Sequence, residues 1–178
     1  MNDDQLKHVL RAAADVVSGA DILVVGSQSV LAVRTDVELP IEATRSIEVD
    51  LAFFDDPDLA KADAVDGAIG ELSRFHETFG YYAQGVSINT PVLADGWEAR
   101  LVELDAPRPA VRLRALEPHD CVASKLVADR EKDREFARAL LEAGIIDGAT
   151  IQRRIDHLPD TVTTAIRLRL TDWLRRSR

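Results

Sequence analysis

At 178 residues with 46% hydrophobic content, the chain has the size and composition of one compact domain, or of a core domain with a small helical appendage. Apolar runs such as Ile22-Leu23-Val24-Val25 are far too short to cross a bilayer, and the Asn2-Asp3-Asp4 start carries the wrong charge for a secretory signal. Cys121 is the single cysteine, so no internal disulfide forms; a cytoplasmic protein without a membrane partner is expected, and its net charge of −9 excludes tight non-specific nucleic-acid binding by the whole surface.

In chain order, residues 3–18 place Leu6, Val9, Leu10, Ala13, Val16 and Val17 at helical spacing, with Gly19 as a C-terminal stop. Residues 22–25 read as a short buried strand running into Gly26-Ser27, after which 28–33 is helical. A strand, a tight Gly-Ser turn and a helix bring backbone N–H groups and the positive helix end to one spot, which suits a phosphate. Residues 34–44, with Pro40, read as a connection.

The next stretch, Ser46-Ile47-Glu48-Val49-Asp50-Leu51-Ala52-Phe53-Phe54, is the centre of the chain. As a strand it sends Ile47, Val49 and Leu51 to one face and Glu48 and Asp50 to the other. Two carboxylates so placed repel each other unless a cation lies between them, and hard oxygen ligands suit Mg²⁺. The plainer alternative is a half-exposed edge strand whose acids face water.

A helix is expected over roughly 58–72, with Pro57 or Asp58 near its first turn. Phe75 to Gly80, containing His76 and Glu77, reads as a loop, and 81–86 as a strand. Residues 89–96 are turn-rich, and 97–104 and 111–116 alternate as strands. From Glu117 the pattern turns helical: one stretch after Glu117-Pro118, a second over 131–143, a third over 149–157, and a last from Pro159-Asp160 through Trp173. Over 153–178, seven Arg oppose three Asp, leaving −13 on the preceding residues. That end is either a solvated helix or a local basic patch.

Lys125 sits on the first of these helices, with Asp129 and Asp133 at four-residue steps behind it; on a continuous helix the three share a face. Singly, Lys125 reads as a snorkelling surface lysine and Asp133 as an exposed acid. Together with the Gly-Ser turn and the acid pair they supply what nucleotidyl transfer needs: an N–H cradle, carboxylates for a metal, and a cation for phosphate charge. Cys121 reads as a small core residue, and His119 as a helix cap or a ligand contact.

The order Gly26-Ser27 then Glu48-Val49-Asp50 resembles the signature of the DNA polymerase β-like nucleotidyltransferase superfamily. Ser46 to Asp50 is similar to the Ser/Thr-x-Asp-hydrophobic-Asp motif of AbiEii-type toxins of toxin–antitoxin systems. Ser124-Lys125-Leu126-Val127-Ala128 and Lys132-Asp133 resemble that group's Lys-Leu-Ala helix and Arg/Lys-Asp pair. Residues 20–145 also resemble small uncharacterised nucleotidyltransferase-like proteins through Glu42 to Glu48, Phe75 to Thr78 and Glu117 to Asp120. The chain departs from these patterns in three ways. Twenty residues separate Ser27 from Glu48, the first acid is Glu, and no third acid stands in a hydrophobic-Asp-hydrophobic strand, leaving Glu103, Asp120 or Asp133 for that place.

The resemblance implies an α+β fold: a nucleotidyltransferase-like mixed sheet with flanking helices over 1–116 and a helical C-terminal subdomain, 117–178, packed on it. It implies transfer of a nucleoside monophosphate from a nucleoside triphosphate to an acceptor hydroxyl, with a tRNA 3′ end or other RNA as acceptor and a cognate antitoxin as partner. Glu48 and Asp50 would hold Mg²⁺, or Mn²⁺ in its place. Gly26, Ser27 and Arg45 would bind phosphate, and Lys125 and Asp133 would serve catalysis. A non-catalytic binding module or antitoxin, and a small-molecule nucleotidyltransferase, stay open as alternatives.

Overall fold

The computed structural model describes residues 1–18, 20–34 and 38–177. Helix α1 (Asp3–Val16) begins with a capping box, in which the Asn2 side chain accepts from the Gln5 N–H and the Gln5 side chain accepts from the Asn2 N–H. Its apolar stripe of Leu6, Val9, Leu10 and Ala13 is fully buried. Gly19, expected to stop this helix, lies outside the described residues.

Five strands form one mixed sheet: β1 (Asp21–Val25), β2 (Glu48–Phe53), β3 (Tyr82–Gly85), β4 (Val102–Leu104) and β5 (Arg112–Ala115), in the order β3-β2-β1-β5-β4. β1 runs antiparallel to β2 and parallel to β5; β2 and β3 are parallel, and β4 and β5 antiparallel. The acid-bearing β2 is therefore an interior strand, and the edge-strand alternative fails.

Alternation along β1 and β2 divides the core in two. Ile22, Val24, Val49, Leu51 and Phe53 join a cluster with α1 and with α4 (Ala60–Ile69). Leu23, Val25 and Ala52 face the opposite way, into a cluster with α6 (Pro118–Ala128), α7 (Glu131–Glu142), α8 (Gly148–Asp156) and α9 (Thr164–Arg176). Glu48 and Asp50 share the Ala52 face, so the acids point toward the side covered by the C-terminal helices. Ile47 precedes the strand and is 48% exposed, outside the core face expected for it.

Several boundaries differ from the sequence reading. Phe75 to Gly80 is not a loop but most of α5 (Arg74–Phe79), capped by Ser73 Oγ accepting from the His76 N–H and closed by Gly80 at φ 75°. Within 34–44 stands a single helical turn, α3 (Ile41–Thr44); α2 (Gln28–Val33) follows the Gly-Ser turn as expected. The first part of 97–104 is a 3₁₀ turn, Trp97–Arg100, because Arg100 reaches back to the carbonyls of Ala94 and Asp95 and forward to both Asp120 oxygens. α4 starts at Ala60 after a left-handed Leu59: Asp58 accepts from the Ala60 N–H at 3.4 Å as expected, and Asp56 from the Lys61 and Ala62 N–H groups at 2.8 and 3.0 Å. The last helix starts at its Thr163 cap.

The run from Lys125 to Asp133 is not one helix. Asp129 adopts φ 57° and closes α6 before α7 begins. Its carboxylate pairs with Arg134 and Arg169, away from the expected common face. The Arg-rich end is largely engaged within the protein: Arg154 pairs with Asp120 and Glu117, Arg167 donates to the Ile155, Leu158 and Pro159 carbonyls, and Arg169 to those of Leu126 and Val127. Among the described residues, no helix is long and apolar enough to cross a membrane.

Candidate active site

The antiparallel register of β1 and β2 sets Val25 opposite Asp50, so the turn that follows β1 passes beside the second acid. Gly26 has φ 65°, and a Cβ there would lie 2.1 Å from Asp50 Oδ2. Only glycine fits, for its backbone freedom and for its missing side chain. The Gly26 carbonyl is held from α2 and α6: Ser29 donates from N and Oγ, and Cys121 from Sγ at 3.0 Å. Cys121 is 1% exposed, and burial pushes its thiol pKa up, as suits a core residue. The Ser27 side chain makes no capping bond and lines the cleft.

That cleft, about 510 Å³, opens between the sheet and α6. Gly26, Ser27, Glu48, Asp50 and Lys125 all line it, with Gln84 and Val86 from the β3 side and Arg130 and Lys132 from the α6–α7 junction. Burial pushes the Asp50 carboxyl up from 3.8 to about 6; the adjacent Glu48, by charge and by a shared hydrogen bond, adds to the rise, while Lys125 and Arg130 oppose it. Asp50 therefore keeps its proton up to about pH 6, chiefly because burial disfavours its charged form.

The positive side is built on Asp133. It is 1% exposed, accepts from Lys125 Nζ at 3.4 Å and from Arg130 Nε at 2.6 Å, and so fixes two cations that face the acids. Lys125 also lies 5.2 Å from the Phe136 ring centroid. Asp133 itself does not line the cleft. Arg45, expected near the phosphates, pairs instead with Glu135 at 3.0 Å outside the cleft. Of the residues weighed as a third acid, Glu103 pairs with Arg112 on the β4–β5 edge, and Asp120 is enclosed by Arg100 and Arg154. His119 is structural: its Nε2 accepts from the Asp147 N–H while Nδ1 meets the Glu117 carboxylate.

Glu48 and Asp50 could hold a divalent cation, since they offer hard oxygens whose repulsion such an ion relieves. Among the described residues no group of three His, Cys, Asp or Glu is arranged for a metal, so further ligands there would come from water or phosphate oxygens. Sequence reasoning missed Arg130, Gln84 and Tyr82. Arg130 stands three residues before Asp133, a spacing that signals a pair. Gln84 and Tyr82 alternate on an expected strand, but which strand lies beside β2 is not written in either one.

No curated protein and no solved structure matches the chain. A family described as nucleotidyltransferase of unknown function, DUF6036, matches it over residues 3–167. With an α+β mixed sheet that sets a glycine turn against an acid pair, and a family match across nearly its whole length, the chain belongs to this nucleotidyltransferase family.

Proposed function

We propose that the protein transfers a nucleoside monophosphate from a nucleoside triphosphate to an acceptor hydroxyl. The hydroxyl oxygen bonds to the α-phosphorus, the bond from that phosphorus to the bridging oxygen breaks, and pyrophosphate leaves as the hydroxyl proton is released. The observation that carries this reading is the contact of the Gly26 turn with Asp50 in a cleft rimmed by Lys125 and Arg130. Backbone N–H groups at Gly26-Ser27 and the Ser27 hydroxyl bind the β- and γ-phosphates. Lys125 neutralises phosphate charge, and Asp133 orients Lys125 and Arg130 rather than touching substrate. Arg130 takes the part that Arg45 was expected to play.

The donor set supports a divalent ion: two adjacent carboxylates, of which burial and then the Glu48 charge raise the Asp50 pKa to about 6, with space for phosphate oxygens beside them. Glu48 and Asp50 would hold a Mg²⁺ or Mn²⁺, which would supply positive charge against the triphosphate. For the acceptor we propose RNA, a tRNA 3′ end first, in the manner of a toxin of this superfamily. Because Arg154, Arg167 and Arg169 are engaged internally and Arg130 is held by Asp133 for the nucleotide, Lys132 at the cleft is the RNA phosphate contact of this reading.

Incubation with α-labelled nucleoside triphosphates, Mg²⁺ and total RNA tests it: label enters RNA with the wild-type chain and not with Asp50→Ala, which stays folded. Full activity in that variant removes the metal role. A second reading, a binding module that has kept the fold, is favoured by the lack of a third carboxylate in the cleft among the described residues. It is the outcome if nucleotide binds and nothing becomes labelled.

A further inference from the structure

The parallel register of β2 and β3 sets Glu48 beside Tyr82 and Asp50 beside Gln84. Each acid thus has a neutral hydrogen-bonding neighbour on the next strand, on the same face. The Tyr82 hydroxyl donates to Glu48 Oε2 at 3.2 Å. The phenol is itself held in place. Its backbone N–H donates to the Ile47 carbonyl at 3.0 Å, and the His76 ring packs against it at 4.7 Å between centroids. His76 is anchored in turn, its Nδ1 accepting from the Leu72 N–H at 3.1 Å within a helix that Ser73 caps.

We propose that Tyr82 is a positioning residue that holds the Glu48 carboxylate in the geometry that accepts a divalent cation; this rests on the metal role of Glu48 and Asp50 proposed above. Glutamate carries one more rotatable bond than aspartate, so its carboxylate needs fixing from outside if it is to meet an ion together with the shorter, half-buried Asp50. A hydrogen-bonded partner behind a ligating carboxylate supplies that orientation. The phenol is suited to it, because its hydroxyl carries one proton to donate and its ring is held against His76.

Titration of the full chain with Mn²⁺, following the free ion by electron paramagnetic resonance, tests this without nucleotide or turnover. Tyr82→Phe removes one oxygen and keeps the ring against His76. It is expected to weaken Mn²⁺ binding about tenfold while the thermal midpoint without metal stays where it is. A hydrogen bond that served stability alone would do the reverse. Equal affinity in the folded Tyr82→Phe variant overturns the inference and leaves the proposed function standing; absence of Mn²⁺ binding by the wild-type chain overturns both. Should the variant not fold, the wild-type protein decides through its tyrosine ultraviolet difference spectrum. The chain has two tyrosines, and Tyr81 is buried in the cluster on the other face of the sheet. A perturbation on adding Mn²⁺ supports Tyr82; a silent spectrum overturns it.

Discussion

At Gly26 two constraints meet in one residue. A left-handed backbone and a carboxylate oxygen where a Cβ would sit both exclude a side chain, and relieving the clash moves Asp50. Gly26→Ala is therefore expected to abolish labelled-nucleotide transfer and to cost about 1–3 kcal/mol in denaturant unfolding from backbone strain alone. Asp50 offers a prediction of opposite sign. Its pKa rises in the fold from 3.8 to about 6, so the folded state holds that proton more tightly than the unfolded chain does. Stability is then full below the unfolded value and falls as pH rises through about 6. Asp50→Asn should accordingly stabilise the fold at neutral pH by at most on the order of 3 kcal/mol, read as a raised thermal midpoint, with the difference vanishing below about pH 4. Adding Mg²⁺ should stabilise the wild-type protein and leave Asp50→Asn unmoved. An acid at this site tuned for stability would give none of this.

Elements bring these residues within reach of one another. Because α6 ends at Asp129 and α7 starts afresh, Lys125 and Asp133 meet across a turn rather than along a helix face. Asp133→Asn leaves Lys125 and Arg130 without the buried charge that fixes them, and a loss of about 3 kcal/mol is expected, together with a raised KM for nucleotide. Asp56 is the opposite kind of residue. It is buried, takes two N–H groups at the start of α4 and lies outside the cleft. Asp56→Ala should lower stability by about 1–2 kcal/mol and leave nucleotide affinity as it was, measured by calorimetry on the folded variant. The Asp56 cap was hidden in the sequence among Asp55, Asp56 and Asp58, any of which satisfies the same local pattern. The α5 helix was hidden for another reason: over six residues with no buried side chain, the single Phe75–Phe79 pair at i,i+4 spacing is too short a stripe to read.

For the whole molecule, charge decides how an RNA could approach. An acidic body repels a polyanion in general, and much of the basic C-terminal end is bound to carbonyls and acids of α6 and α8. Approach is then confined to the cleft mouth. On the RNA reading, Lys132→Gln should reduce the slope of log affinity against log salt by about 1. Arg175→Gln, on the exposed end of α9, should leave the slope unchanged; equal changes in both would place the contact elsewhere.

Alternation and spacing determined locally what each segment would be. They identified β1, the glycine turn, the acid-bearing β2 and the C-terminal helices, because backbone sterics and apolar periodicity act over a few residues. They also named Gly26, Ser27, Glu48, Asp50 and Lys125, which line one cleft. Strand order and helix docking alone decided the rest. They put Tyr82 and Gln84 beside the acids, turned Arg45 toward Glu135, buried Asp133 under two cations and drew the C-terminal arginines inward. Those outcomes depend on contacts between residues far apart in the chain, where register and burial, not neighbouring sequence, set which charges meet.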